Sequence, residues 1–258
     1  MQALSAYWPS ALSYSAYCAG GGTRSSVREM TTDLTKAKLC KLAYHTLNLV
    51  RIDDSNMGFP AGYTLSDVLY GQDKDGIRPF GLIVNDPDGA QIVSFRGTDT
   101  WSEWYTDAEI ELVPNSTSSI GSGRVHKGFL ELYESLVDRN GALGWQSRLK
   151  GKETAITGHS LGAALATFLA LDLGSQNLTT FGSPKLGDKE WAQEAQKTLG
   201  GSKRYVSKFD PIPWVPLSTW HVTFEHVCVA SQLNGPLNMI STPMDNHSID
   251  RYAELLAK

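Results

Sequence analysis

Cysteine is scarce in this sequence, with only three in 258 residues, Cys18, Cys40 and Cys228. Three widely separated cysteines are too few for a disulfide-stapled scaffold or for a cysteine-rich zinc site. The residue types around Cys40 and Cys228 indicate that both behave as small buried hydrophobic side chains. Whether any two of the three form a disulfide stays open.

An excess of positive charge and a long apolar run are also lacking. The chain has 23 Lys and Arg against 27 Asp and Glu, and its formal net charge at pH 7 is -4. This balance argues against non-specific nucleic-acid binding and against attraction to anionic membranes. No segment approaches about 18 uninterrupted apolar residues, so we expect no transmembrane helix.

The N-terminal 30 residues lack the pattern of a secretory signal. Their first basic residue is Arg24, and Pro9 and several serines interrupt the apolar residues. We therefore predict an N-terminal arm of uncertain order over residues 1–30. Residues 31–258 contain no repeat, charge block or linker, and with 41% hydrophobic residues in the chain they suffice for one large core in a single domain.

The most informative stretch is residues 154–173. A short β-prone run leads into GHSLG at 158–162, and an unbroken run of small and apolar residues follows. A strand, a sharp turn and a buried helix form the context in which Gly-x-Ser-x-Gly holds a serine on a strained backbone. We therefore predict that Ser160 is a nucleophile beside a helix N-terminus, whose N–H groups favour negative charge. A chance match to the pentapeptide is disfavoured by that context.

Strand-like and helix-like segments alternate along the domain. This alternation predicts an α/β fold with a mostly parallel central sheet and helices on both faces. Residues 85–89 (NDPDG) predict a hairpin turn. Strands are predicted at 80–84, 91–95, 154–157, 178–181, 204–209 and 222–230, and helices at 33–46, 101–108, 128–138, after 162, at 190–199 and at 249–257.

Aromatic residues recur at helical spacing over residues 101–108. The residues at i, i+3, i+4 and i+7 are Trp101, Trp104, Tyr105 and Ala108. This spacing predicts a short amphipathic helix. The helix is either an ordinary surface helix or a mobile lid whose aromatic face covers an acyl-binding cleft and meets lipid when open. Periodicity alone does not separate the two.

A nucleophilic serine needs a base, and histidine suits this role because its pKa lies near neutral pH. Three histidines follow Ser160: His221, His226 and His247. We favour His247, which lies in a polar loop just before the closing helix. His226 falls within a predicted strand, where a structural role is expected, and His221 is a weaker loop candidate. His159 adjoins the nucleophile, so we expect it to pack behind the site.

Asp210 is our candidate for the carboxylate that orients His247. It follows a predicted strand at the carboxyl edge of the sheet, where sites gather in such folds. Asp188 is the runner-up, and Asp245 could equally cap the closing helix. An oxyanion hole needs two donors. We predict the N–H of Leu161 as one donor and Thr98, through its N–H and its hydroxyl, as the other.

Several motifs occur in order along residues 32–258. They are SFRGT at 94–98, Trp104 with Asp107, VHKGF at 125–129, TGHSLG at 157–162, FGSPKLGD at 181–188, DPIP at 210–213, and His247 with Tyr252. Together they resemble the class 3 lipases, the family of the filamentous-fungal triacylglycerol lipases. The resemblance implies an α/β-hydrolase fold with a lid at about residues 101–108. The site residues that it implies are Ser160, Asp210 and His247 as the triad, with Thr98 and Leu161 at the oxyanion hole.

The resemblance also implies a function. We expect a carboxylic ester hydrolase, a triacylglycerol lipase that acts on acylglycerols at a lipid–water interface through an acyl-enzyme, with no metal or cofactor. A short-chain or feruloyl esterase and a phospholipase A1 on the same fold are alternatives. A non-catalytic binding protein with the hydrolase fold is an alternative from another class.

The sequence departs from the family in two respects, and the first of them bears on localisation. The several disulfides of the secreted fungal enzymes have no counterpart among three cysteines, and Ala163 stands where the family commonly has glycine. Glycosylation sequons begin at Asn115, Asn177 and Asn246, but a glycan on Asn246 would adjoin His247. We therefore assign no compartment, and only the resemblance leans towards a secreted protein.

Overall fold

The structure is a computed structural model that describes residues 31–98, 111–115, 122–217, 223–236 and 242–258. Several sequence-based predictions lie outside the described residues. They are the arm at 1–30, the lid with Trp101, Trp104, Tyr105 and Ala108, and the alternative base His221.

A mostly parallel sheet forms the centre of the domain. The described residues form seven strands of this sheet and a separate two-stranded ribbon. The strands are β1 (Thr64–Asp73), β2 (Gly76–Asn85), β3 (Gln91–Phe95), β4 (Leu112–Pro114), β5 (Arg124–His126), β6 (Thr154–His159), β7 (Leu178–Phe181), β8 (Lys203–Ser207) and β9 (Ala230–Leu233). The order in the large sheet is β1-β2-β3-β6-β7-β8-β9. β1, β2 and β3 pair antiparallel, and the pairs from β3 to β9 are parallel. β4 and β5 form the antiparallel ribbon.

Helices cover both faces of this sheet. They are α1 (Asp33–His45), α2 (Asp54–Met57), α3 (Lys127–Glu134), α4 (Leu161–Leu173), α5 (Lys189–Leu199) and α6 (Ile249–Leu256), with 3-10 turns at Thr46–Asn48, Trp145–Leu149, Ile212–Trp214 and Pro243–Asn246. α3, α4 and α5 bury Phe129, Phe168 and Trp191 on one face. α1 and α6 pack Cys40 and Tyr252 on the other. This architecture confirms the predicted α/β fold.

Local sequence signals explain where the helices begin. Thr32 caps α1 by accepting the N–H of Thr35 at 3.2 Å. Asp188 caps α5 by accepting the N–H of Trp191 at 3.0 Å. Each cap of this kind contributes about 1 kcal/mol. α4 differs from an amphipathic surface helix because it is apolar all round and buried between neighbours.

The hairpin between β2 and β3 confirms the turn predicted at 85–89. Asp86 closes it: its carboxylate accepts the N–H of Ala90 at 2.7 Å, and its own N–H donates to the carbonyl of Ala90 at 2.8 Å. The register then pairs Leu82 with Ser94. The turn therefore fixes which residues of β3 face each side of the sheet.

The strand predicted at 222–230 is wrong. Residues 223–229 form a loop, and the strand is β9 at Ala230–Leu233. Phe224 and Val227 are buried from that loop, so their apolar character reflects packing and not strand pairing. β9 itself is an edge strand whose side chains are mostly exposed, which is why its sequence carries no hydrophobic alternation.

Two further boundaries differ from the predictions. The strand β1 was not predicted, because Asp67 and Gly71 interrupt its apolar residues. The helix predicted at 128–138 is α3, which ends at Glu134. Beyond it, the N–H of Val137 donates to the carbonyl of Tyr70 at 2.8 Å and the N–H of Tyr70 to the carbonyl of Val137 at 2.9 Å, so Val137 pairs with β1 and does not continue the helix.

The cysteines that the structure describes are free. Cys40 is fully buried, and burial raises the pKa of its thiol to about 11. Cys228 is half-buried. Among the described residues, no helix is long and apolar enough to cross a bilayer, and no three His, Cys, Asp or Glu side chains cluster as metal ligands.

Candidate active site

Ser160 occupies the sharp turn between β6 and α4. Its backbone has φ 60° and ψ -129°, a conformation that costs a non-glycine residue about 1–3 kcal/mol. A Cβ on Gly158 would lie 2.1 Å from the carbonyl oxygen of Gly162, and a Cβ on Gly162 would lie 2.5 Å from the carbonyl oxygen of Arg96. Both positions therefore require glycine for the turn to close, as the pentapeptide predicts.

His247 and Asp210 form a buried hydrogen-bonded pair. The Nδ1 of His247 lies 2.8 Å from Oδ2 of Asp210, and the two residues are 4% and 1% exposed. A carboxylate only accepts hydrogen bonds, so Nδ1 carries the proton. In the neutral ring Nε2 then has the lone pair that a base needs.

Asp210 is held by two further donors. The hydroxyl of Tyr252 donates to Oδ2 at 2.5 Å, and the N–H of Ile212 donates to Oδ1 at 2.8 Å. Burial and the adjacent Asp210 charge raise the pKa of Tyr252 well above its ordinary value, so Tyr252 remains a donor. The sequence predicted no bond between Tyr252 and Asp210. The signals are the occurrence of Tyr252 with His247 in the motifs of the resemblance and its place on the buried side of α6.

The end of β7 brings Ser160 and the His247–Asp210 pair to the same place. The N–H of Ser160 donates to the carbonyl of Phe181 at 3.0 Å. A Cβ on the next residue, Gly182, would lie 2.8 Å from Oδ2 of Asp210 and 2.9 Å from Nδ1 of His247. Within the described part of the chain, the buried Oγ of Ser160 makes no hydrogen bond. The carboxyl ends of β6, β7 and β8 therefore meet at one buried hydroxyl.

The loop after β3 lies against Ser160. A Cβ on Gly97 would come within 2.7 Å of the Cβ of Ser160. The fully buried Arg96 fixes this loop, because its Nη1 donates to the carbonyl of Gly97 at 2.6 Å and its Nε to the carbonyl of Pro79 at 2.6 Å. Thr98 follows directly and lines the adjoining cleft.

The helix α4 begins directly after Ser160 and presents an N–H group beside it. Leu161 is its first residue, so its N–H has no acceptor within the helix. The partial positive charge at the helix N-terminus lies beside Ser160 and favours a developing negative charge there. An oxygen that becomes an anion next to Ser160 would therefore lie beside the N–H of Leu161, and Thr98 as a second donor stays a prediction.

His159 packs behind the nucleophile, as expected. Its Nδ1 lies 2.8 Å from the hydroxyl of Tyr44, and its Nε2 lies 2.6 Å from the carbonyl oxygen of His247. The two imidazole rings are tilted against each other, with centroids 4.6 Å apart. Burial, together with the neighbouring His247, lowers the pKa of His159 well below its ordinary value.

The other sequence candidates lie elsewhere. His226 is a structural residue as predicted, although it lies in a loop: its Nε2 lies 2.6 Å from the carbonyl of Pro213, and burial lowers its pKa to about 4. Asp188 caps α5 and forms an ion pair with Arg124 at 3.2 Å. Asp245 accepts the N–H of Thr242 at 2.6 Å within a capping box.

A cleft of about 740 Å³ opens beside the site. Thr98, His159 and His247 form its inner end, and α1 forms one wall. The wall is partly apolar, with Leu42 and Met57 among its residues. The outer part is polar: an exposed ion pair joins Lys41 to Asp250 at 2.6 Å, and Asn48 and His45 lie nearby on the α1 side.

Comparisons with known proteins find relatives of this sequence. The sequence model of the family described as lipase (class 3) matches residues 92–220. The lipase of Rhizomucor miehei is 32% identical over 142 residues, which cover 51% of this chain and 39% of that protein. Phospholipase A1-II 3 of Oryza sativa subsp. indica is 32% identical over 143 residues, which cover 47% of this chain and 34% of that protein. The match thus spans well under half the length of these relatives.

Solved structures share the fold. The triacylglyceride lipase of Rhizomucor miehei aligns with a TM-score of 0.61 and 23% identity, over 78% of this chain and 78% of that chain. The Lip2 lipase of Yarrowia lipolytica aligns with a TM-score of 0.61 and 19% identity, over 79% of this chain and 78% of that chain. At these identities the likeness establishes the α/β-hydrolase fold.

Proposed function

The chain belongs to the class 3 lipase family, and on that premise we propose that it is a serine hydrolase that cleaves carboxylic esters of acylglycerols, as a triacylglycerol lipase. One observation carries the proposal. The buried Asp210–His247 hydrogen bond of 2.8 Å lies at the strand ends where the strained Ser160 is held. A serine hydroxyl becomes a nucleophile when such a histidine takes its proton, and the buried pair therefore supports the proposal.

Acylation follows from the roles of these groups. The Oγ of Ser160 attacks the ester carbon while Nε2 of His247 takes its proton. The tetrahedral oxyanion accepts hydrogen bonds from the N–H groups of Leu161 and Thr98. The bond from carbon to the alcohol oxygen then breaks, and His247 returns the proton to that oxygen, which leaves an ester on Ser160.

Deacylation repeats these steps with water. His247 takes a proton from water, and the resulting hydroxide equivalent attacks the acyl carbon. The bond to Oγ breaks, the fatty acid leaves and Ser160 regains a proton from His247. Asp210 remains ionised throughout and stabilises the imidazolium form of His247. The reaction as proposed uses only side chains, backbone N–H groups and water.

The cleft indicates where the alcohol part of the substrate would bind. His247 gives its proton to the alcohol, so the alcohol part of the substrate must lie on the side of His247. His247 and the residues that follow it line the cleft. Its mixture of apolar and polar residues suits a glycerol derivative. The lid at 101–108, with Trp101, Trp104, Tyr105 and Ala108, stays a prediction, and so does binding at a lipid–water interface.

Hydrolysis of emulsified lipid tests the proposal. We expect the wild-type chain to release fatty acid from triolein and tributyrin emulsions at constant pH. The Ser160→Ala variant should lose about 10³-fold or more of kcat, since Ser160 makes the covalent bond, at an unchanged melting temperature. A folded Ser160→Ala protein with nearly wild-type activity would overturn the mechanism.

The outer part of the cleft favours a second candidate, a phospholipase A1. The exposed Lys41–Asp250 pair offers a cation and an anion beside the proposed position of the alcohol. Turnover of phosphatidylcholine vesicles against triolein emulsions discriminates the two. p-Nitrophenyl esters from C2 to C16 test the esterase alternative, which a short-chain optimum without interfacial gain would favour. A failure to react with a fluorophosphonate probe would favour a non-catalytic protein.

A further inference from the structure

His159 is a buried histidine that the proposed mechanism does not use. It is 3% exposed, and each of its ring nitrogens lies within hydrogen-bonding distance of a polar atom. One is the hydroxyl of Tyr44 on α1, 2.8 Å from Nδ1. The other is the backbone carbonyl oxygen of His247, 2.6 Å from Nε2. The ring therefore connects α1 to the backbone of the proposed base.

The two partners select one form of the His159 ring. A carbonyl oxygen only accepts, so Nε2 must donate its proton to His247. If the ring is neutral, Nδ1 must accept the hydroxyl proton of Tyr44. A protonated ring would lose the bond from Tyr44 and would place a positive charge next to His247, where an imidazolium forms during the reaction.

The groups that surround His159 agree with a neutral ring. The titratable side chains that face it are Tyr44 from α1, His247 from the segment before α6, and Tyr252 from α6. Asp210 is hydrogen-bonded to the other histidine ring, at Nδ1 of His247. The charge of Asp210 is therefore directed to His247 and not to His159.

The bond from His159 is a contact on the backbone of His247 in addition to those of its own 3-10 turn. The N–H of His247 donates to the carbonyl of Met244 at 3.0 Å, within the 3-10 turn that precedes it. The carbonyl of His247 is fixed by His159 from the opposite direction. The ring of His247 also packs against that of His159, with 31° between the two planes. Backbone and ring of the proposed base thus both depend on His159.

Tyr44 also lies close to the loop that packs against Ser160. A Cβ on Gly97 would lie 2.5 Å from the hydroxyl of Tyr44 and 2.7 Å from the Cβ of Ser160. Tyr44 and His159 both line the cleft. The hydroxyl of Tyr44 is therefore placed between the cleft, the loop at Gly97 and the ring of His159.

We propose that Tyr44 and His159 are positioning residues, and that the chain of bonds from Tyr44 through His159 to the His247 carbonyl sets the orientation in which His247 meets Ser160 and Asp210. This inference rests on the proposed function, because it assigns His247 as the base. The inference requires a hydrogen-bond donor at the position of Nε2 of His159, whereas it does not require the volume of the imidazole ring.

Two amide variants of His159 separate these demands. In His159→Gln the amide nitrogen can reach the position of Nε2 and donate to His247. In His159→Asn the amide reaches only the position of Nδ1, so the Tyr44 contact can persist while the bond to His247 is lost. We expect His159→Gln to retain kcat within about threefold and His159→Asn to lose about 10- to 100-fold, with smaller changes in KM, because a displaced catalytic group costs this much.

A proton signal reports directly on the orientation of His247. The hydrogen-bonded Nδ1–H of His247 should give a low-field proton resonance in the wild type and in His159→Gln, and a weakened or absent one in His159→Asn. Equal losses of kcat in the two variants, or a wild-type resonance and kcat in His159→Asn, would overturn the proposal.

Tyr44→Phe provides an independent test if both amide variants fold poorly. Removal of one hydroxyl should lower kcat about three- to tenfold and change the nitrogen-15 signals of His159, which in the wild type should belong to a neutral ring protonated at Nε2. A Tyr44→Phe protein with wild-type kcat and unchanged nitrogen signals would contradict the proposed chain of bonds.

His226→Asn is the matched control. Nε2 of His226 also bonds a backbone carbonyl, that of Pro213 at 2.6 Å, and the residue is outside the proposed machinery. We expect this variant to lose thermal stability and to keep the low-field resonance of His247.

A wild-type protein that fails to hydrolyse p-nitrophenyl butyrate would refute the proposed function itself. An active wild type with indistinguishable Gln and Asn variants would refute only the positioning role.

Discussion

Two buried aspartates, Asp67 and Asp210, differ in the charge of their partners. Asp67 on β1 is 5% exposed and accepts from Nε of Arg139 at 2.9 Å and Nη2 of Arg148 at 3.0 Å. Asp210 is 1% exposed, and its described donors are His247, a tyrosine hydroxyl and a backbone N–H. The charge of Asp67 is already balanced by guanidinium groups. The charge of Asp210 is balanced only when His247 becomes an imidazolium.

This difference separates a structural ion pair from a catalytic one. A carboxylate paired with permanent cations stabilises the fold and responds to nothing that happens at the site. A carboxylate held by neutral donors favours the protonation of its histidine partner, and that is the step a serine hydrolase needs. The two aspartates should therefore give opposite results when each is replaced by asparagine.

Asp210→Asn should produce the larger effect on catalysis. The amide can donate to Nδ1 of His247, which would shift the ring proton to Nε2 and remove the lone pair that accepts the Ser160 proton. We expect kcat to fall by about 10⁴-fold, measured on p-nitrophenyl butyrate, with the melting temperature changed much less than activity. Asp67→Asn is the control, and its kcat should stay near that of the wild type.

A result in which Asp210→Asn keeps kcat within tenfold of the wild type would contradict the comparison. It would mean that His247 does not depend on the charge of Asp210. A loss of kcat in a fully folded Asp67→Asn protein would also contradict the comparison, because Asp67 would then affect catalysis.

Asp67→Asn should instead lower stability. It removes the carboxylate that contacts Arg139 and one of the two carboxylates at Arg148, which keeps Asp138 at 3.1 Å. Both guanidinium groups are half-exposed and remain solvated. We expect the free energy of unfolding to drop by about 1–3 kcal/mol, measured by urea denaturation at pH 7. An unchanged urea midpoint would show that this ion pair contributes no stability.

The same aspartate should make stability depend on pH. Burial alone would raise the pKa of Asp67, but hydrogen bonds from Arg139 and from the N–H of Val68 outweigh it and leave the pKa below its ordinary value. The folded form thus binds the proton less tightly than the unfolded chain. The contribution of Asp67 is complete above the ordinary carboxyl pKa and is lost as pH falls through the lowered value. In Asp67→Asn the urea midpoint should fall less steeply below pH 4 than in the wild type, and parallel curves would argue against this contribution.

Tyr252→Phe should lower kcat much less than Asp210→Asn does. It removes one of the donors to Asp210 and the acceptor of the Ser207 N–H at 3.0 Å, while the bond from His247 remains. A hydrogen bond to a charged group contributes about 1.5 kcal/mol, so we expect kcat to fall by about tenfold. Kinetics of p-nitrophenyl butyrate hydrolysis over pH 5 to 9 check this. A loss as large as that of Asp210→Asn would mean that Tyr252 acts on more than the orientation of Asp210.

The sequence predicted the parts of the fold that depend on local signals. The turn at 85–89, the buried helix after Ser160 and the alternation of strands and helices follow from residue types close together in the chain. β1 was missed because its buried Asp67 is accommodated by Arg139 and Arg148, which are about 70 to 80 positions away. β9 was misplaced because the hydrophobic residues of that region pack from a loop.

The candidate site shows the same division. Ser160 and Asp210 could be proposed from strand ends, and His247 from its place before the closing helix. The bond between His159 and Tyr44 joins residues 115 positions apart, so no local pattern could indicate it. The catalytic roles of Ser160, Asp210 and His247, the donors Thr98 and Leu161, and the lid at 101–108 stay predictions.

Covalent labelling tests the central claim most directly. The chain is treated with a p-nitrophenyl alkylphosphonate, the mass of the intact protein is measured, and the modified peptide is sequenced by mass spectrometry. We predict one phosphonyl group per chain, attached to Oγ of Ser160, with a rate of labelling that falls at least about 100-fold in His247→Gln. Labelling of another residue, or labelling of Ser160 at the same rate without His247, would contradict the account.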